Sequence, residues 1–405
     1  MSTDLLEKAD TVTAEFDVKA LSLALADVFA VVPTRSPKPI LQHVLITVEP
    51  EGFTRLEATD LEVGVSVRLL GVKADRPFRI VAPPHRLKAI LDGAVGRAGA
   101  ETMTVAVTDR GDGASAVVKG RGFRFELPLE DPALFPAVPA FPDDAGRHDL
   151  AAEGLRRLVR RTTFATDVEN TRYALGGCLL EAGEHSLALV ATDGRRLAKQ
   201  VAAAVREAGG CPDLHGAVVP VKALKLVDRL VSPGDTTAHV TVTGSAVRGG
   251  EPRALGFHVR LDRGTVYSRL LEGRFPRYQD VIPAEGSFRT EVRVTAGELL
   301  WAFQQASIMT SEESRGVDVA FGAEKTTLKA TAADRGSGEV EAQAAVSGED
   351  AAVTVDPRYV TDLLKALEPL DGLVVRLAGP STPVLFALAD SGELSYCVMP
   401  LSKDR

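Results

Sequence analysis

Cysteine is scarce, with three in 405 residues, and Cys178, Cys211 and Cys397 form no CxxC pair. That excludes a disulfide framework and argues against a thiolate zinc site, leaving each as a small buried or partly buried residue. The seven histidines are equally scattered, with no HExxH and none set beside an acid at ligand spacing. No metal or cofactor is therefore expected. No apolar run approaches the ~18 residues of a membrane span. The first residues, MSTDLLEKADTVTAEF, are polar and acidic and lack an apolar core. They read as a flexible leader over 1–14, with no signal peptide and a cytoplasmic location. An excess of cations is also missing, since 47 Lys and Arg face 55 Asp and Glu for a formal charge of −8. Blanket electrostatic gripping of nucleic acid is thereby disfavoured, although cations gathered on one face remain compatible with it.

What the chain has is repetition. EFDVKALSLALADVF, RHDLAAEGLRRLVRRTTF and RTEVRVTAGELLWAFQQASI each read as a strand followed by an amphipathic helix, with anchors at Val18, Leu150 and Val294. IVAPPHRLKAIL, AVVPVKALKLVDRL and VTVDPRYVTDLLKAL repeat more tightly, each a strand, a helix-opening Pro83, Pro220 or Asp356, and an apolar helical stripe. Alternating strand patterns fill the intervals. The reading is α+β, with three similar domains of two helices packed on antiparallel sheets. Proline-rich joints at Pro132, Pro136, Pro139 and Pro142 and at Pro276 and Pro283 suggest boundaries at 1–144, 145–285 and 286–405.

Catalytic constellations fare poorly. GDGASA from Gly111 lies between strand patterns and reads as a hairpin turn instead of a dinucleotide loop. The stretch LVATDGRRLAKQ sets Asp193 beside Arg195 and Arg196, a possible phosphate clamp. The same tripeptide occurs at Ala58, Thr59 and Asp60, and a degenerate copy at Ala330 and Thr331. Repetition favours an architectural turn. On the helices, Arg156, Arg157, Arg160 and Arg161 fall opposite Leu155, Leu158 and Val159, and Lys222, Lys225 and Arg229 share a face. A solvated charged face is the ordinary meaning, yet cation-rich helices in an acidic chain also suit a DNA-facing surface.

TRYALGGCLLE, LVATDGRRLAKQ, LLEGRFPRYQDVIP and SYCVMPLSKDR together closely resemble the bacterial sliding-clamp family, the beta subunits of DNA polymerase III. The resemblance runs from about Glu15 onward. It implies a non-catalytic processivity factor, a head-to-tail homodimer whose six domains close into a ring around duplex DNA without reading sequence. It also implies partners: the polymerase alpha subunit, an ATP-driven clamp loader, other DNA polymerases and repair proteins. These would dock a short peptide in an apolar groove between domains 2 and 3. Carried over by motif, the groove takes Leu175, Thr192, Gly194, Arg195, Arg196, Leu197, Pro276 and Val281, with Tyr359, Val384, Met399, Pro400 and Leu401 from domain 3. For DNA the resemblance points to Arg35, Arg86, Tyr173 and Lys222. For ring closure it points to Arg124 and Phe125 facing Ile308, Met309, Glu339 and Glu341, although Phe125, Ile308 and Met309 suit a buried core equally well. The chain departs from the family where Arg195 replaces a common His, Asp356 a common Asn and Asp280 a basic residue. Rival readings are an enzyme using Asp193, Arg195 and Arg196 on phosphorylated substrates, and a repeat-built adaptor that binds proteins alone.

Overall fold

The computed structural model describes residues 11–49, 53–97, 99, 101–109, 114–167, 169, 174–207, 216–245, 253–312 and 314–401. One order of elements occurs three times. The first domain runs β1 (Val12–Asp17), α1 (Val18–Phe29), β2 (Val44–Val48), β3 (Thr54–Thr59), β4 (Val63–Leu69) and β5 (Lys73–Ala74). It continues with β6 (Phe78–Ala82), α2 (Pro84–Ala94), β7 (Thr102–Asp109), β8 (Ala114–Gly120) and β9 (Phe123–Pro128). The second repeats this as β10 (Arg147–Ala151), α3 (Ala152–Arg160), β11 (Gly177–Ala182), β12 (Ser186–Thr192), β13 (Arg196–Ala203) and β14 (Val205–Glu207). Then come β15 (Val218–Pro220), α4 (Val221–Leu230), β16 (Thr237–Ser245), β17 (Arg253–Leu261) and β18 (Gly264–Arg269). The third begins β19 (Thr290–Thr295), α5 (Ala296–Ala306), β20 (Val317–Phe321), β21 (Thr326–Ala332), β22 (Gly336–Ala342) and β23 (Ala345–Gly348). It ends β24 (Ala351–Val355), α6 (Pro357–Leu364), β25 (Gly372–Leu377), β26 (Val384–Leu388) and β27 (Leu394–Val398).

Local chemistry accounts for the helix starts. Asp17, Thr295 and Asp356 cap α1, α5 and α6, each side chain accepting a first-turn backbone N–H. Pro83, Pro220 and Asp356 occupy the N-cap of the second helix in all three domains, so the tight sequence repeat marks one structural position. The looser anchors differ. Val18 opens α1, whereas Leu150 and Val294 lie in strands two residues before α3 and α5, so the structural equivalents of Val18 are Ala152 and Ala296. The chain also pairs earlier than its polar composition suggests. Val12 to Ala14, expected in the leader, already sit in β1 opposite Val107 to Val105. Expected residues 111–113 of the hairpin lie outside the described residues, but Asp109 pairs with Ala114 in an antiparallel β7–β8 ladder.

All sheets are antiparallel, and two of them cross domain boundaries. In one nine-stranded sheet β18 of the second domain pairs with β4 of the first. In the other, β27 of the third pairs with β13 of the second. The first domain keeps a five-stranded sheet ending in β9, and the third a four-stranded sheet ending in β22. Within each domain the two helices pack together and cover the sheets' inner faces, with Leu25, Leu158, Phe303 and Leu363 fully enclosed. Burial of such side chains supplies the main driving force for folding. The proline-rich linker is pinned between domains. Gly64 leaves room for Val138, which stands 2.8 Å from where a Cβ would lie, and the Arg260 guanidinium stacks 4.4 Å over Phe141. No helix among the described residues is long and apolar enough to cross a membrane, and no group of three His, Cys, Asp or Glu among them could hold a metal ion.

Candidate functional site

The repeated tripeptide builds the same turn twice. Asp60 Oδ1 accepts the backbone N–H of Glu62 at 3.0 Å and of Val63 at 2.7 Å. Asp193 Oδ1 accepts those of Arg195 and Arg196 at 2.9 and 3.0 Å. Thr59 and Thr192 also match, each donating its hydroxyl to the carbonyl four residues on. The residue after the aspartate is left-handed in both, Leu61 at φ 78° and Gly194 at φ 86°. Glycine takes that conformation freely, whereas leucine bears a cost of about 1 kcal/mol. In domain 3 the degenerate copy instead lies within β21, and Gly336 closes the hairpin to β22 at φ 90°.

In domain 2 this turn forms one wall of a cavity of about 430 Å³ at the joint with domain 3. Thr192, Gly194, Arg195 and Arg196 come from the turn, and Leu175 and Leu197 form the floor beneath them. Pro276 and Val281 close one side, and Met399 enters from the chain end. Its place is fixed by main chain, since β27 continues the β13 ladder and Met399 donates its N–H to the Arg195 carbonyl. Val281 and Met399 are each 39% exposed, an apolar surface open to solvent. Asp193, Arg277, Tyr278 and Cys397 also line the cavity, none of them expected in the groove. Tyr278 is held there by bonds to Glu181 and Lys199. Four expected residues do not line it. Val384 is buried beneath, paired with Val398 across β26 and β27. Tyr359 stands behind the arginines, and Pro400 and Leu401 lead away, the Leu401 N–H bound to the Thr354 carbonyl.

The two arginines differ in kind. Arg196 is enclosed: its Nε donates to Asp193 at 2.9 Å, Nη1 to Asp362 at 2.6 Å and Nη2 to the Phe164 carbonyl at 2.6 Å. Its plane lies over Phe164 and 4.8 Å from the Tyr359 centroid. Burial opposes its charge, but Asp362, Tyr396 and Asp193 outweigh that and raise its pKa. Three of its five N–H donors are thus held inside the protein, and it joins domains 2 and 3 as well as lining the cavity. Arg195 is exposed and bonded to Tyr359, which raises its pKa. Arg195 is thus the solvent-exposed cation at the rim, accessible to an acid. Asp280 is exposed in the short helical turn Tyr278–Val281, while Asp356 is buried as the α6 cap.

The helices show a selective distribution of cations. Arg157, Arg160, Lys222, Lys225 and Arg229 are exposed, as are Arg35 and Arg86. The four-arginine face of α3 is not uniform, however. Arg161 is 8% exposed, bonded to Asp371 of domain 3 at 3.3 Å, and Arg156 is drawn toward Asp228 and the Val231 carbonyl. Helical spacing alone put both in solvent, but neighbouring elements bury them. Lys222 is tied to Asp60 of domain 1, and Tyr173 lies outside the described residues. At the free sheet ends, Phe125 is 47% and Ile308 58% exposed, so a core role for either within one chain is excluded. Met309 is half-buried, Arg124 exposed, and Glu339 and Glu341 hold Lys329 and Lys325. Cys178 and Cys397 are buried with thiols pushed up to about 12 by that burial, inert positions. Cys211 and residues 402–405 lie outside the described residues.

Three family models match in chain order: the DNA polymerase III beta subunit N-terminal domain over 15–138, its central domain over 149–277 and its C-terminal domain over 279–402. The beta sliding clamp of Pseudomonas aeruginosa is 28% identical over 388 residues, covering 95% of this chain and 98% of that protein. That of Caulobacter vibrioides is 28% identical over 387 residues, covering 94% and 97%. Among solved structures, the DNA polymerase sliding clamp of P. aeruginosa superposes with a TM-score of 0.78 at 25% identity, over 96% of this chain and all of that one. The clamp from Bacillus subtilis gives 0.82 at 20% identity, over 97% and 100%, a likeness of fold. With all three domains matched in order over nearly its whole length, the chain belongs to the DNA polymerase III beta subunit family.

Proposed function

We infer that the protein is a sliding clamp, a non-catalytic subunit that encircles duplex DNA and keeps the replicative polymerase on its template. The observation that carries this is the accounting of sheet edges. In domain 2 the last strand β18 pairs with β4 of domain 1, and the last strand of domain 3, β27, pairs with β13 of domain 2. The two equivalents left over are β9, the last strand of domain 1, and β22, which corresponds to β4 and β13. Each is the edge of its own sheet, and unpaired edges are ready to accept a partner strand. A second copy, joined head to tail, would satisfy both at once. Such a heterologous contact repeated twice closes a six-domain ring. Arg124 and Phe125 on β9 then face Glu339 and Glu341 on β22, with Ile308 and Met309 alongside, a match in charge and apolar surface.

The helices would line the hole. Arg86, Lys222, Lys225, Arg157 and Arg160, together with Arg35 on its loop, would give a mildly cationic bore in a chain of net charge −8. Topological retention needs no more, because the ring holds DNA by enclosing it. The cavity between domains 2 and 3 suits an apolar peptide, with Met399 and Val281 adaptable at its rim and Arg195 placed to meet a backbone carbonyl or carboxylate. The polymerase alpha subunit, clamp loader and repair proteins would share it in turn, in the cytoplasm where bacterial DNA lies.

Retention on nicked circular DNA tests the reading. Loaded protein is expected to survive a salt wash on the circle and to leave once the circle is cut. Loss in salt on circular and linear DNA alike would indicate ordinary electrostatic binding and overturn it.

A further inference from the structure

The first helices of the three domains share one register of buried positions. Counted from the first helical residue, position four is Leu21, Leu155 and Leu299, and position eight is Leu25, Val159 and Phe303, all buried. Position eleven, Val28, Thr162 and Ala306, is buried as well. Position ten is where they part: Asp27 in α1, Arg161 at the end of α3, and Gln305 in α5.

Asp27 is 6% exposed and accepts from two cations of domain 2, Arg263 Nη2 at 2.6 Å and Arg229 Nε at 3.2 Å. Arg161 donates to Asp371 of domain 3. Each joint within the chain therefore closes over a buried charge at position ten, paired across the boundary. The sign differs but the device does not. Gln305 occupies the same position at the third joint, carries no charge and is exposed.

The facing side has changed too. Arg229 is position nine of α4, and with Pro84, Leu87 and Ile90 of α2 matching Val221, Leu224 and Val227, position nine of α2 is Asp92. Arg263 sits in the turn closed by Leu261 and Gly264, and the matching turn, closed by Gly120 and Phe123, has Gly122 there. Where domain 2 offers two arginines, domain 1 offers an acid and a glycine. Asp92 holds only its own helix neighbour Lys88, at 2.6 Å, among the described ion pairs.

We propose that the seam between copies sets Gln305 of one copy against Asp92 of a second copy, leaving unlatched the helix-layer position that an ion pair closes at both joints within the chain. The inference rests on the ring reading above. Its consequence is that the helix layer adds an ion pair to each joint inside a chain and none to the seams between copies.

Subunit exchange between two labelled populations of the full-length dimer, followed by energy transfer, tests this. The double variant Q305D/D92R reproduces the Asp27–Arg229 arrangement at the seam, and exchange is expected to slow about fivefold in low salt and less in high salt. Q305D alone sets two acids together and is expected to accelerate exchange. Q305R alone, facing the native Asp92, is expected to slow it, and D92N is expected to cancel that gain. Effects of the single changes that simply multiply in both pairs, with the dimer intact, would place the positions apart and overturn the proposal. A chain that sediments as a monomer at micromolar concentration would overturn the ring reading itself.

Discussion

Arg196 reaches from the turn of domain 2 to Asp362 on α6 of domain 3, an Nη1 to Oδ2 distance of 2.6 Å across 166 residues of sequence. The same side chain holds Asp193, so one residue shapes a wall of the groove and fastens the joint behind it. Arg196→Ala leaves Asp193 with no guanidinium and Asp362 without its partner. Removing one member of a buried pair costs ~3–5 kcal/mol, and the partial exposure of Asp362 argues for the low end. A stability loss of about 3 kcal/mol is expected by chemical denaturation, with weakened peptide binding. Arg195→Ala is expected to weaken peptide binding while leaving the denaturation midpoint unchanged. Equal stability losses for the two variants would contradict the division of roles.

Met399 offers the sharpest test of the groove. It stands at the rim on a backbone bond to Arg195, so shortening its side chain removes contact surface without opening the core. Met399→Ala is expected to reduce partner-peptide affinity about tenfold, or ~1.4 kcal/mol. Removing residues 400–405 alone, of which Pro400 and Leu401 do not line the cavity, is expected to change affinity less. Sedimentation should still give the dimer for both. Unchanged affinity in a calorimetric titration would move the peptide site elsewhere.

The paired turns make a matched experiment. Asp60→Ala and Asp193→Ala each delete two backbone caps, and each is expected to cost about 1 kcal/mol in the local turn. Only Asp193→Ala should weaken peptide binding, because only that copy borders the cavity. Asp60→Ala should instead release Lys222 and change the salt dependence of DNA retention. Peptide binding lost in both variants would mean the effect travels through general destabilisation.

This contrast explains what the sequence could convey. An aspartate that caps N–H groups two and three residues ahead is a local structure, legible wherever the tripeptide recurs. The helix caps at Pro83, Pro220 and Asp356 were legible for the same reason, as was the triplication they mark. Arg161 was not. Its helical spacing indicates solvent, but Gln200 on β13 and Asp371, 210 residues later and in another domain, draw it inward. Val384, expected at the groove, is buried beside Val398 in the next strand and does not line the cavity, because alternate residues of a strand face opposite sides of a sheet. Tyr278 and Cys397 gave no signal because their lining role depends on how two domains meet.

Acid sensitivity should be concentrated in domain 2. His258 is 4% exposed, with Nε2 3.1 Å from the Thr243 hydroxyl and its ring against Phe141 and Tyr267. Burial lowers its pKa from 6.5 to about 4. Burial likewise lowers that of His148, on β10 of the same sheet. A group whose folded pKa is depressed in this way takes its proton more readily when unfolded. The unfolded state therefore gains protons first as pH falls below 6.5, and stability should decline between pH 6.5 and about 4. For His258 alone the shift corresponds to at most about 3 kcal/mol. His258→Gln, which keeps a polar group of similar reach, is expected to flatten that part of the stability curve while sacrificing some stability at pH 7.5. Denaturation midpoints measured from pH 7.5 to 4.5 check this, and parallel curves for the variant and the parent would exclude His258 as the source.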